Sequence, residues 1–151
     1  MPAAWRIVKD KFVAVAFSGE GARQIEGRWN SQGVAMVYTS EHKSLAALET
    51  LVHVDAKIPV SYRCFRVDFS EALVERLTAE LPPNWQSEPP TDATRQLGDL
   101  WIRESRSAVL AVPSALIPEE WNYLLNPNNT GFEKVTIGKP VAFAFDPRLL
   151  T

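Results

Sequence analysis

A helical run set between two strand-type runs restricts this chain more than any other feature. "VAMVY", residues 34–38, and "SYRCFRVDF", residues 61–69, read as strands, whereas "SLAALETLVHV" between them repeats apolar residues at helical spacing. Thr39 or Ser40 is placed to cap that helix, and Glu41 favours its positive end. Around this unit the reading continues in both directions. "FVAVAF" is a β-type run whose alanines also permit a helix, and "SGEGARQIEG" is a glycine-bearing connection. "SEALVERL" reads as a short helix opened by Ser70, "LGDLWIRESR" as a helix, "AVLAVPS" as a strand and "PVAFAFD" as a terminal strand. The Pro pairs of "LPPNWQSEPPTDATRQ" mark a long surface connection and not a domain boundary, because neither flank has the apolar content of a separate domain. A single domain over 1–151 is expected.

The 151 residues are 46% hydrophobic and 23% charged, enough to bury about two-thirds of the unfolded surface around one core. A net charge of -2 without long like-charged runs disfavours direct nucleic-acid binding through phosphate neutralisation. Cys64 is the single cysteine, so neither an intrachain disulfide nor a thiolate zinc cluster is available, and a reducing, cytoplasmic setting is expected. No apolar run is long enough for a secretory signal or a membrane span.

Glu49 is the sharpest chemical clue. Helical spacing sets it beside Leu45, Leu48 and Val52, where a carboxylate must reach a cleft or find partners. It reads as a salt bridge, as a carboxylate at the edge of the face, or as a group that stabilises an oxocarbenium ion or holds a sugar hydroxyl. Arg28, between Gly27 and Trp29, offers a planar fork to a phosphate or carboxylate, or a surface ion pair. Asn30 reads as a turn residue and Trp29 as core. Tyr38 ends a strand either as an ordinary sheet tyrosine or as an aromatic ligand platform. Arg6 and Ser114 read equally as an anion contact and a ligand contact, or as an ion pair and a cap. His42 and His53 do not cluster, so a catalytic metal is not expected. Walker, GxGxxG and GxSxG patterns are all absent.

Together "FSGEGARQIEGRWNSQGVAMVYTS", "SLAALETLVHV", "LPPNWQ", "LGDLWIRES", "AVLAVPSALIPEEWNYLLNP" and "FAFDPRL" make the chain resemble the RES-domain toxins of bacterial toxin–antitoxin systems. The resemblance implies an α+β fold, a compact ADP-ribosyltransferase-like domain with a split mixed sheet and flanking helices. It maps the family's arginine, tyrosine and glutamate onto Arg28, Tyr38 and Glu49, its further pocket arginine onto Arg6, and its serine and asparagine onto Ser114 and Asn122. It implies NAD as substrate, cleaved between nicotinamide and ribose, with loss of cellular NAD and growth arrest. Water, inorganic phosphate as co-substrate, or a protein side chain would accept the ADP-ribosyl unit. No metal is needed for that chemistry. A toxin homodimer and a DNA-binding helix-turn-helix antitoxin are the implied partners. Glu26 stands where the family pattern has a second glycine, and Asn129 where it often has a histidine.

Overall fold

Alternation along residues 62–68 sends Tyr62 and Cys64 to one side and Phe65 and Val67 to the other, and both sides are buried. A sheet covered on both faces follows from this strand outward. The computed structural model describes residues 1–54 and 60–150. Its strands are β1 (Ala3–Lys9), β2 (Val37–Ser40), β3 (Tyr62–Asp68), β4 (Val74–Arg76), β5 (Val109–Pro113), β6 (Trp121–Leu125), β7 (Thr136–Ile137) and β8 (Val141–Phe143). They form one curled mixed sheet in the order β4-β5-β6-β2-β1-β3-β7, with β8 also pairing with β3. Only β4 and β5 run parallel; the other pairs are antiparallel. The helices are α1 (Glu20–Gln24), α2 (Lys43–Leu51) and α3 (Asp92–Glu104).

The sheet nearly parts at its centre. β1 pairs with β3 from Ala3↔Asp68 to Lys9↔Tyr62, but with β2 only at Trp5↔Ser40. One face carries Leu110, Val112 and Leu124, packed with Trp29, Met36 and the α3 residue Trp101. Further along, Ile7 and Cys64 meet Ala46 of α2. The opposite face carries Ala4, Val37, Val67, Ala111, Tyr123 and Leu125. Each large apolar side chain so buried contributes about 1.5–3 kcal/mol.

Several expectations need correction. "FVAVAF" is no strand: Asp10–Val15 is a 3-10 helix with Phe12 and Val15 exposed. The strand expected at 34–38 lies at Val37–Ser40, since residues 34–36 make no ladder pairs. Neither Thr39 nor Ser40 caps α2; its N-cap is His42, without a side-chain cap, and both hydroxyls bond across to β6. Ser70 does cap, but the helix it opens is one 3-10 turn, Glu71–Leu73, before the chain extends into β4. The helix expected at "LGDLWIRESR" begins earlier, at Asp92. β6 was not foreseen as a strand.

Candidate active site

Glu49 lies in the last turn of α2, where the negative end of a helix disfavours a carboxylate by about 0.3–1 kcal/mol. Leu45, one turn earlier, is buried, whereas Leu48 and Val52 are exposed, so the apolar face turns through Leu45 and Ala46 and leaves Glu49 half-buried at its edge. From there the carboxylate reaches the sheet. Ser114 Oγ donates to Oε1 at 3.1 Å, and Asn122 Nδ2 donates to Oε2 at 3.4 Å. Ser114 follows directly on β5, and Asn122 lies in β6 opposite Val112.

The hydrogen-bond inventory of Ser114 is closed. Its Oγ accepts from the amides of Leu116 and Ile117, both at 3.1 Å, so its one proton is directed at Glu49. Both Ser114 and Asn122 are buried. The donors are neutral, and among the described residues no cationic side chain forms an ion pair with Glu49. By the described residues the carboxylate is therefore oriented without being neutralised. Among the described residues Glu49 makes no salt bridge, and it sits as a carboxylate at the edge of the apolar face.

Tyr38 lies on the same sheet face, two residues before Ser40, about 7 Å along the strand. Its hydroxyl donates to Asn30 Oδ1 at 2.6 Å and accepts from the Trp29 amide at 3.1 Å. Burial pushes its pKa up, so the phenol stays protonated across the physiological range. Asn30 is buried in turn, its Nδ2 donating to Ala22 O at 2.6 Å. Asn30 thus braces the whole 22–38 connection, beyond the local turn expected of it.

Arg28 belongs to the same segment. Nη1 donates to the carbonyls of Trp85 and Ser87 at 2.9 and 2.7 Å, and Nη2 to Glu88 at 3.2 Å. The arginine side chain is 16% exposed and that of Glu88 72% exposed. In this structure Arg28 clamps the Pro-rich connection, and only Nη2 has a partner that solvent or a ligand can easily replace. Sequence reasoning missed Arg95, which donates from Nε to Gly27 O at 2.9 Å and pairs with Glu26 at 3.4 Å. Its place one turn before Gly98 on α3 was the available signal. The departure at Glu26 is accommodated by this pair. Asn129, the other departure, accepts from the Gly131 amide and caps the 3-10 helix Thr130–Lys134.

Arg6 stands apart. Alternation with Trp5 sets it on the opposite face, against the Phe17 ring, at the point where β1 and β2 separate. Nη1 donates to Tyr38 O at 2.9 Å and Nε to Ala16 O at 2.7 Å. Burial lowers its pKa to about 10, which still leaves it charged at neutral pH. The structure therefore groups Glu49, Ser114 and Asn122 in one cluster, joins Arg28 to Tyr38 through the 27–30 segment, and leaves Arg6 at the split of the sheet.

Glu41, His42 and Glu120 form a separate group, His42 exposed and the two glutamates half-buried, whose ligand atoms lie within 4.8 Å of one another. His42 Nδ1 and Glu120 Oε1 are 3.0 Å apart.

Comparison with known proteins agrees with the fold. Residues 3–146 match the RES domain family. A protein called Toxin Res from Yersinia enterocolitica is 38% identical over 148 residues, covering 96% of this chain and 97% of its own. The Prs ADP-ribosylating toxin of Sphingobium is 33% identical over 153 residues, covering 97% and 95%. A chain in the crystal structure of the M. tuberculosis MbcT–MbcA toxin–antitoxin complex shares the fold with a TM-score of 0.77 at 17% identity, covering 99% of this chain and 86% of that one. The chain belongs to the RES domain family.

Proposed function

We propose that this chain is a toxin that consumes NAD by cleaving the nicotinamide–ribose bond, with water or inorganic phosphate as acceptor. The observation that carries the reading is Glu49, a half-buried carboxylate held by two neutral donors and, among the described residues, by no cation. As nicotinamide leaves, positive charge develops on the ribose. A unit charge about 4 Å away in an effective dielectric of about 20 gains about 4 kcal/mol from such a carboxylate. A salt-bridged glutamate would have spent that interaction already.

The other residues divide the remaining work. Arg28 would exchange Glu88 for a pyrophosphate or phosphate oxygen at Nη2 and keep its carbonyl contacts at Nη1. Tyr38 presents its ring beside that arginine, its hydroxyl being committed to the segment behind it. Ser114 and Asn122 hold the carboxylate, and Arg6 supports the separation of β1 from β2 from the far face. Nicotinamide departs neutral, so none of these steps requires a metal.

The second reading is mono-ADP-ribosyl transfer to a cellular protein, favoured by the likeness to the Prs ADP-ribosylating toxin. A third, an inactive NAD-binding or protein-interaction module, would leave NAD intact. A cognate helix-turn-helix antitoxin and a cytoplasmic homodimer belong to the same proposal; the likeness to a chain of the MbcT–MbcA complex supports the antitoxin. No helix among the described residues is long and apolar enough to cross a membrane. Incubation of the protein with NAD, with and without phosphate and with labelled extract, separates the readings by product. Free ADP-ribose indicates hydrolysis, ADP-ribose 1''-phosphate indicates phosphorolysis, and a labelled protein band indicates transfer.

A further inference from the structure

Behind the carboxylate cluster lies a hydroxyl with no role so far. Ser40 is 4% exposed, and its Oγ donates to Asn122 Oδ1 at 2.9 Å. The two residues face each other directly in the β2–β6 ladder. Just beyond them the strands are tied again: the Glu41 amide donates to Trp121 O at 3.0 Å, and the Trp121 amide donates to Glu41 Oε1 at 2.8 Å. The Ser40–Asn122 contact is thus held on both sides by backbone.

An asparagine side chain has an acceptor end and a donor end. With Oδ1 occupied by Ser40, the NH2 end faces Glu49. The carboxylate by itself favours that sense, because the reverse would set two oxygens against each other. It cannot hold the amide still once its own charge is drawn toward a cationic ribose. Ser114 needs no such support, since two backbone amides fix its oxygen. Among the described residues Asn122 has only Ser40 at its Oδ1.

We propose that Ser40 is a positioning residue that acts on Glu49 through Asn122, locking the amide so that the carboxylate keeps its aim during bond cleavage. The kinetic consequence rests on the NAD-cleaving reading; the orientation of the amide does not. Removing the hydroxyl leaves Asn122 Oδ1 buried and unpaired, and the amide then turns toward whatever donor it can reach.

The test has two readouts. In the first, the side-chain amide resonances of Asn122 are identified by their loss in Asn122→Ala, and their exchange with water is followed by NMR. Slow exchange is expected in the parent and in Ser40→Thr, and exchange faster by about tenfold in Ser40→Ala, as for loss of one hydrogen bond. In the second, Ser40→Ala lowers kcat about tenfold with KM changed by less than about twofold. Ser40→Thr restores it, and in an Asn122→Ala background Ser40→Ala has no further effect. If Ser40→Ala does not fold, Ser40→Cys serves, with a similar size and a weaker donor. Unchanged amide exchange in a folded Ser40→Ala or Ser40→Cys overturns the proposal, as does an equal loss of kcat with and without Asn122. If the parent turns over no NAD, the NMR arm still decides the positioning role, and the failure belongs to the NAD reading alone.

Discussion

A glutamate in the last turn of a helix, with no counter-ion among the described residues and with two neutral donors on its oxygens, is poorly explained by stability alone. In the proposed NAD cleavage its use is electrostatic, so Glu49→Gln should lower kcat about 100- to 1,000-fold while NAD affinity changes little, which single-turnover and binding measurements separate. Arg28 carries a second residue-scale prediction. If Nη2 is the donor that substrate takes, Glu88 competes for it, and Glu88→Ala should lower KM. Stability should move by no more than about 1 kcal/mol, because the pair is exposed on one side. Tyr38→Phe removes a buried hydroxyl from between its two partners, stranding the Trp29 amide and Asn30 Oδ1. A cost of about 1–3 kcal/mol follows, visible as a drop of several degrees in thermal unfolding. Glu49 was legible in sequence because helix spacing alone makes an acid beside Leu45 conspicuous. Ser40 was not: a serine before a helix reads as a cap, and its true partner is 82 residues away in β6.

At the scale of elements, legibility followed the spacing of charged residues. β3 sets Arg63, Arg66 and Asp68 among its buried residues and was readable, whereas β6 is buried without a break through Asn122–Leu125, so "WNYLL" shows no period of two. β4 was hidden for another reason. Three residues of "SEALVERL" become a strand only by pairing in parallel with β5, more than thirty residues away in sequence. "FVAVAF" misled because its composition suits a strand while its position leaves most of it outside the core. The α3 element carries the clearest prediction. A Cβ on Gly98 would lie 1.7 Å from the Trp29 carbonyl oxygen, a backbone atom that cannot step aside without moving the Arg28–Asn30 segment. Gly98→Ala should therefore cost about 3 kcal/mol in urea unfolding and impair Arg28 and Tyr38 together.

For the molecule as a whole, the resemblance seen in scattered motifs and the fold reached by pairing agree: an α+β domain with a mixed sheet nearly divided between β1 and β2, and a RES-family chain over residues 3–146. What sequence could not supply was which face each motif residue takes. Arg6 and Glu49 are both carried on well-formed elements, yet only the register of β1 shows that Arg6 sits on the far face. An antitoxin that places an acidic segment over Arg28 should compete with NAD, so NAD affinity should fall in the complex and return when that segment is removed. The central claim is tested most directly by mixing the purified parent protein and Glu49→Gln with NAD and identifying the products over time. Release of nicotinamide by the parent, reduced at least about 100-fold in Glu49→Gln with its fold intact, is the predicted result. Intact NAD in the presence of folded, NAD-binding parent protein, or equal nicotinamide release by both proteins, would contradict it.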